Sequence, residues 1–435
     1  MWLLYNTLFF LFALVYLPTF ALKGKFKKGF AARFGSIPPA VLEALAGHKP
    51  VWVHAVSVGE VALAVSLVNR LRERLPGSRF LLTTTTNAGY SVAEKIKNEE
   101  DVLTFFPVDF PWSVRAFLNA TDPSMLILLE TEMWPNLLRE LSGRGVPVLI
   151  ANGRISDRAF GRYLAVRFFL RRLFRKMEGI SAQDERMRSR FIALGASADQ
   201  VTVNGNLKYD WEPSHFQEEA ASALKHALRS SSQHLLIAGS THEGEEEIFF
   251  RAYSDLRPSF PQARLLIAPR HLERLPSIEK AAERAGLRPV RISTSSHRAL
   301  QEAGERDVWL LDQVGVLAPL YECASLVFVG GSLVRVGGHN LAEPAYYAKP
   351  ILFGPHVQNF LEMASEFKAG GGAIQVADAG ELRREWQKAL DEPESMKAMG
   401  RASRELVRKH QGATQKNVEW ALSLTGSRER SLAKV

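Results

Sequence analysis

From Val51 onward the hydrophobic positions of this chain follow two alternating rhythms. The apolar, β-rich runs VWVHAVS, FLLTTTT, VLTFFPVD, MLILLE, VPVLIANG and the short GISAQ read as strands buried on both faces. Each is followed by a stretch with helical spacing, such as 60–75. Around 210–217, which holds Trp211, Pro213 and Ser214, the alternation breaks as a linker would. It resumes with HLLIAGS, RLLIAPR, RPVRIS, DVWLLD, SLVFVGG and KPILFGP, and the chain closes in helices from 379 to about 424. This pattern predicts an α/β protein of two doubly wound, Rossmann-like halves facing a cleft, with the carboxyl ends of the strands turned toward it. The expected division is 1–22, 23–212, 218–410 and a closing helix and tail at 411–435. Two domains also suit a chain of 435 residues with a hydrophobic fraction of 46%.

The first 22 residues, MWLLYNTLFFLFALVYLPTFAL, carry no charge. As a helix rising about 1.5 Å per residue they are long enough to span a bilayer. Lys23, Lys25, Lys27, Lys28 and Arg33 follow at once, and the positive-inside rule then keeps the rest of the chain in the cytoplasm. The expectation is a single-pass anchor helix; a segment lying partly in the interface is the alternative, favoured by Asn6 and Pro18. A second membrane-like feature is the stretch 161–177. Arg167, Arg171 and Arg175 recur there at helical spacing beside Arg162, Arg172 and Lys176, interleaved with Phe168, Phe169, Leu173 and Phe174. It reads either as a helix that seeks anionic lipid or as a packed helix with a solvated cationic face.

The formal charge of +9 points to acidic partners: nucleic acid, anionic lipid or a phosphorylated substrate. The basic residues neighbour apolar, membrane-like sequence and no RNA-recognition signature is present, so lipid is expected and nucleic acid is not. The single cysteine, Cys323, lies in an apolar run, excludes an intrachain disulfide and reads as core.

Candidate chemistry gathers where strands end. In 329–360, VGGSLVRVGGHNLAEPAYYAKPILFGPHVQNF, a strand runs into two glycine pairs and a helix start. Either the glycines serve tight turns alone, or they let a phosphate approach the backbone and the helix N-terminus, with Glu343 placed for sugar hydroxyls. Glu60, just after VWVHAVS, is a helix-dipole partner or a general base. Glu130 and Glu132 in LLETEMWPN need salt-bridge partners or a task, since burying unpaired carboxylates is costly. Lys208, in VNGNLKYD at the end of the first half's last strand, is a counter-ion or a solvated surface charge. Arg270 follows RLLIAP and offers paired donors suited to phosphate. Ser240 and Thr241, with acids behind them, read as a capping box, and Val314-Gly315-Val316 as another backbone-rich turn. Histidines 242, 271, 339 and 356 have no ligand-like spacing, so no metal and no cofactor are expected. No P-loop and no nucleophile elbow occurs.

Together, HAVSVGE, ETEMWPN, NGRIS, GNLKYD, Pro269-Arg270-His271 and GGSLVRVGGHNLAEP with FGPHVQNF behind it resemble the 3-deoxy-D-manno-octulosonate (Kdo) transferases of lipid A assembly. The resemblance runs over nearly the whole chain. It implies a GT-B glycosyltransferase that moves Kdo from CMP-Kdo, with inversion, onto lipid IVA, the tetraacyldisaccharide bisphosphate precursor of lipid A. By that resemblance Glu60 matches the catalytic base, and Glu130 and Lys208 match the positions that stabilise the transition state. Pro269 and Arg270, Val314 to Val316, and Asn340, Leu341, Ala342 and Glu343 match the CMP-binding segments. The family often has Gly-Glu where this chain has Gly315-Val316, which leaves backbone contacts there but no acidic one. A GT-B enzyme using another nucleotide sugar, such as a UDP-linked one, is the nearest alternative; a membrane-tethered nucleic-acid binder is the one from another class.

Overall fold

The computed structural model describes residues 2–22, 29–213, 215–231, 234–293, 304 and 307–432. They fall into two compact units, Met1–Leu207 with Gln411–Val435, and Lys208–His410.

The N-terminal unit is built on seven strands: β1 (Val51–His54), β2 (Phe80–Thr84), β3 (Val102–Phe105), β4 (Met125–Leu129), β5 (Val148–Gly153), β6 (Gly179–Ala182) and β7 (Val201–Val203). They pair in the order β3-β2-β1-β4-β5-β6-β7, all parallel, with Val51 opposite both Phe80 and Met125. Parallel pairing needs crossover helices on both faces, so the central strands are buried throughout. One face packs Trp52, Leu126 and Ile150 with Phe117 and Leu137; the other packs Val53, Ile127 and Leu149 with Leu67 and Leu71.

The C-terminal unit repeats the plan with β8 (His234–Thr241), β9 (Ala263–Pro269), β10 (Arg288–Ile292), β11 (Asp307–Leu311), β12 (Leu326–Val329), β13 (Ile351–Phe353) and β14 (Ala373–Gln375). Their order is β10-β11-β9-β8-β12-β13-β14. All twelve apolar runs of the sequence are strands. The remaining two, β7 and β14, have only three residues each and end in polar or half-exposed positions, too short to display a period.

Each sheet has one place where its order reverses direction, between β1 and β4 in the first and between β8 and β12 in the second. At such a point the loops leaving adjacent strands diverge and open a crevice at the carboxyl edge. The position of the functional residues follows from this topology.

The N-terminal segment is helical from Trp2 to Leu22. Trp2, Tyr5, Asn6, Phe9 and Ala13 share one face by their spacing. Trp2 and Tyr5 each lie 6.2 Å from Phe169, Phe9 lies 5.1 Å from Phe110, and Ala13 is buried. Leu3, Leu4, Leu8, Leu11 and Phe12 on the other side are exposed. Among the described residues no helix is long and apolar enough to cross a membrane. The expected single-pass span is therefore not shown; this helix is seated along one face on the N-terminal unit.

Lys23, Lys25, Lys27 and Lys28 lie outside the described residues, and Arg33 is no part of a surface cluster. Arg33 is 3% exposed, stacks 4.0 Å over Phe105 and donates to the Thr85 carbonyl at 2.5 Å. Burial lowers its pKa to about 10. The 161–177 stretch is two helices, Asp157–Ala165 and Arg167–Phe174, broken at Val166. The stretch is packed on the unit and keeps a solvated cationic face. Leu170, Leu173 and Phe174 are buried, while Arg162, Arg167, Arg171, Arg172 and Arg175 are exposed beside Phe168.

Candidate functional site

In the N-terminal unit the acids stand at the β1/β4 crevice. Ser57 caps the helix Val58–Arg74, and Glu60 in its first turn answers it. The Val56 amide donates to Glu60 Oε2 at 2.9 Å and the Ser57 hydroxyl to Oε1 at 2.8 Å. The capping role is thus real, and it also fixes the carboxylate's direction. Burial raises the proton affinity of Glu60, the charge of Glu130 raises it further, and the amide and hydroxyl donors hold it back.

Glu130 directly follows β4 with φ at 56°, its amide donating to Ala151 O at 3.0 Å. A left-handed conformation in a non-glycine residue costs on the order of 1–3 kcal/mol and is tolerated where the surroundings impose it. Two residues on, Glu132 is pushed up to about 7, by burial first and then by the charges of Glu60 and Glu130, with Trp134 pulling it down. Its charge in turn helps burial raise the Tyr163 phenol. The loop between them is tied to the next strand's exit by Thr131, whose hydroxyl donates to Arg154 O at 2.5 Å. The structure thus gathers Glu60, Glu130 and Glu132, three carboxylates whose charges act on one another.

In the C-terminal unit the β8/β12 crevice is organised by a residue the sequence did not single out. Buried Glu245 accepts from the amides of Gly331 (2.7 Å), Ser332 (3.0 Å) and Leu333 (2.9 Å), and from His242 N at 2.9 Å. The first glycine turn is therefore filled by an internal carboxylate and is not an open phosphate cradle. Its glycines serve close approach: a Cβ on Gly330 would meet Ser240 O at 2.6 Å, and one on Gly331, at φ +66°, would meet the rings of His339 and His242.

Those two rings form a pair, Nε2 to Nε2 at 2.9 Å, with His271 5.7 Å from His242. Burial lowers His242 to about 4 and His339 to about 3, with the Arg270 charge adding to both. Two neutral rings at that distance share one hydrogen bond. The cluster joins three loops far apart in sequence, which is why spacing hid it. Among the described residues no group of three His, Cys, Asp or Glu is arranged to hold a metal ion.

The other expected residues lie along the same edge of this unit. Pro269 is buried at the end of β9, and Arg270 is exposed beyond it, its amide donating to Thr241 O at 3.0 Å. Asn340 Oδ1 accepts from the Ala342 amide at 3.1 Å and so begins the helix Ala342–Tyr346, only five residues long; Leu341 and Ala342 are buried. Glu343 is pushed up to about 7 by burial, against the pull of Arg270. In the loop after β11, Val314 is 77% exposed, Gly315 has φ at +90° and Val316 is buried.

Two expectations change. Lys208 does not end a strand of the first half: it sits in the turn Leu207–Asp210, is grouped with the C-terminal unit, and holds its ammonium 4.9 Å above the Phe360 ring. Its carbonyl accepts from Asn340 Nδ2 at 3.5 Å. Ser240 and Thr241 form no cap either, because β8 runs through Thr241 and the next helix starts only at Glu246. Thr241 instead donates to Glu246 Oε1 at 2.8 Å, and Arg274 grips the same carboxylate at 2.8 and 3.0 Å.

Comparison with known proteins places this arrangement. Residues 28–211 match the family described as 3-deoxy-D-manno-octulosonic-acid transferase (kdotransferase). A 3-deoxy-D-manno-octulosonic acid transferase of Haemophilus influenzae is 31% identical over 398 residues, covering 90% of each chain. A bifunctional glycosyltransferase/methyltransferase of Fusobacterium nucleatum is 33% identical over 340 residues, 78% of this chain, and the match spans only 52% of that longer relative. In fold, the UDP-GlcNAc 2-epimerase of Neisseria meningitidis is similar with a TM-score of 0.56 over 87% of this chain and 100% of its own, at 12% identity. That likeness is one of architecture, two Rossmann-like units of the GT-B type. On the sequence relatives, the chain belongs to the family of 3-deoxy-D-manno-octulosonic acid transferases.

Proposed function

We propose that this chain moves Kdo from CMP-Kdo to the tetraacyldisaccharide bisphosphate precursor of lipid A, releasing CMP, in lipopolysaccharide assembly. The reading is supported by the family and carried by one observation, the oriented Glu60 carboxylate whose proton affinity is raised at the β1/β4 crevice. A carboxylate with raised proton affinity is better matched to taking a proton from a sugar hydroxyl as that oxygen attacks. The new bond forms from the acceptor oxygen to the anomeric carbon of Kdo while the bond to the CMP phosphate breaks, so the configuration inverts. The proton goes to Glu60 and the electron pair to the phosphate.

Glu130, beside Glu60, supplies negative charge for the positive character that develops on the sugar ring. Lys208 is the cation for the Kdo carboxylate or for the departing phosphate. Arg270 offers its paired donors to the phosphate, and Pro269, Leu341 and Ala342 shape the nucleotide's seat. Glu343 is the partner for the donor's ribose hydroxyls, with Asn340 beside it in the same nucleotide-binding segment. Val314, Gly315 and Val316 contribute backbone groups, since the side chain at 316 is apolar.

The working place is the cytoplasmic side of the inner membrane. The exposed leucines of the N-terminal helix and the arginines of Arg167–Phe174 support a surface that meets anionic lipid. Glu60→Gln should lower turnover about 10²–10⁴-fold and leave CMP binding intact. The assay is transfer of Kdo to the tetraacyl precursor, with added sugar masses counted by mass spectrometry. Near-normal turnover by a folded variant would remove Glu60 from the mechanism.

A further inference from the structure

The helix Pro135–Gly143 begins directly after the loop that carries Glu130 and Glu132, and it lacks a cap of its own. Trp134 stands at the N-cap with no side-chain cap bond, and Pro135 brings no amide. The cap comes from elsewhere in the chain. Asp109, buried after β3, accepts from the Asn136 amide at 3.0 Å and from the Leu137 amide at 2.9 Å. A carboxylate there meets the unpaired donors and the positive end of the helix dipole, as a local Asp or Ser would.

The same carboxylate reaches the chain's first helix. Tyr5 donates its hydroxyl to Asp109 Oδ2 at 2.8 Å. The buried Asn136 side chain spends its two hydrogens on Asp109 O and on Asn6 Oδ1, both at 2.7 Å. Tyr5 is further held by Phe9, 5.6 Å away and stacked, and Trp2 by Arg139 of the same capped helix, 5.4 Å over its ring. The acidic loop is thus pinned at both ends. Ala151 and Arg154 hold its start, through Glu130 N and Thr131 Oγ1. Tyr5 and Asn6 help hold its end, through Asp109 and Asn136.

This inner face is polar and specific, whereas the outer face of the helix is apolar and exposed. A helix that served only as an anchor would need the second and not the first.

We propose that the N-terminal helix is a positioning element for the acidic loop: Tyr5 and Asn6, acting through Asp109 and Asn136, fix the helix start that sets Glu130 and Glu132, so that seating of this helix and turnover are coupled. The proposal rests on the reading of Glu130 as part of the catalytic machinery.

The test uses the full chain in detergent micelles. Tyr5→Phe keeps the ring and removes the hydrogen bond to Asp109. Amide exchange across 130–141 should quicken, by about 3–10-fold for one lost hydrogen bond. Turnover should fall by about the same factor, with KM for CMP-Kdo unchanged, since the donor segments lie in the other unit. Ile96→Ser, an exposed apolar position elsewhere on the same unit, should change neither quantity. Unchanged exchange in Tyr5→Phe overturns the coupling. Faster exchange with unchanged turnover overturns the claim on catalysis, and Glu130→Gln then tells why: full activity in that variant places the failure in the reading of Glu130 itself.

Discussion

At the scale of single residues, the acids at β1 and β4 are set by each other. Glu132 takes its proton at about 7 rather than the usual 4.5 because it is buried near two other carboxylates. Of those two charges that of Glu60 acts the more strongly, so Glu60 and Glu132 titrate as a coupled pair. Glu132→Gln is therefore expected to move the acid limb of kcat/KM to lower pH while turnover at pH 8 falls less than about tenfold. The stability sign is fixed by the same shift. With a folded pKa above the unfolded one, Glu132 contributes stability that is fully present below 4.5 and lost as pH rises through about 7. Urea unfolding at pH 8 should accordingly find the variant more stable, by on the order of 2 kcal/mol. A limb that stays in place would separate Glu132 from the base. Such acids are legible in sequence, because a Glu at the end of an apolar strand run is conspicuous. Glu245 and the His242–His339 pair are not: Glu245 hides among neighbouring acids, and the histidines lie 97 residues apart.

At the scale of elements, strand existence was readable and helix partnership was not. A parallel strand buried on both faces announces itself by an apolar run; the twelve runs are twelve strands, although the edge strand β10 is interrupted by two arginines and mostly exposed or half-exposed. The stretch 161–177 shows a basic and an apolar face, but its break at Val166 and the seating of Leu170, Leu173 and Phe174 depend on neighbours that spacing does not name. The outward residues keep the lipid reading alive. Phe168 is 65% exposed among arginines whose charges point away from the core. Glu replacing Arg167, Arg171 and Arg175 together should weaken sedimentation with vesicles of anionic lipid, each lost basic charge near the surface being worth about 1 kcal/mol and each reversal more. Binding to neutral vesicles should change little. Equal binding to anionic vesicles by parent and variant would leave this helix as a packed element with a solvated face.

At the scale of the whole molecule, the chain leaves the N-terminal unit at Leu207 and returns to it at Gln411. The closing segment looks in sequence like a tail, since an amphipathic helix does not say which sheet it will cover. In the structure Ala413–Leu432 packs on the helix Val58–Arg74, burying Val418 and Ala421. Gly179 in β6 has no side chain where Trp420 and Leu424 press in, for a Cβ there would come within 2.8 and 2.7 Å of them. Covering the open face of a parallel sheet with a few apolar side chains is worth on the order of 3–6 kcal/mol, comparable to the net stability of a domain. Ending the chain after His410 should therefore unfold the N-terminal unit selectively. Limited proteolysis is expected to consume 29–207 quickly and to leave a fragment of about 208–410, and CMP should still raise the melting temperature of that fragment. A protected N-terminal fragment in the truncated protein would mean that the first seven strands and their own helices suffice, and that the returning helix is dispensable to the unit it covers.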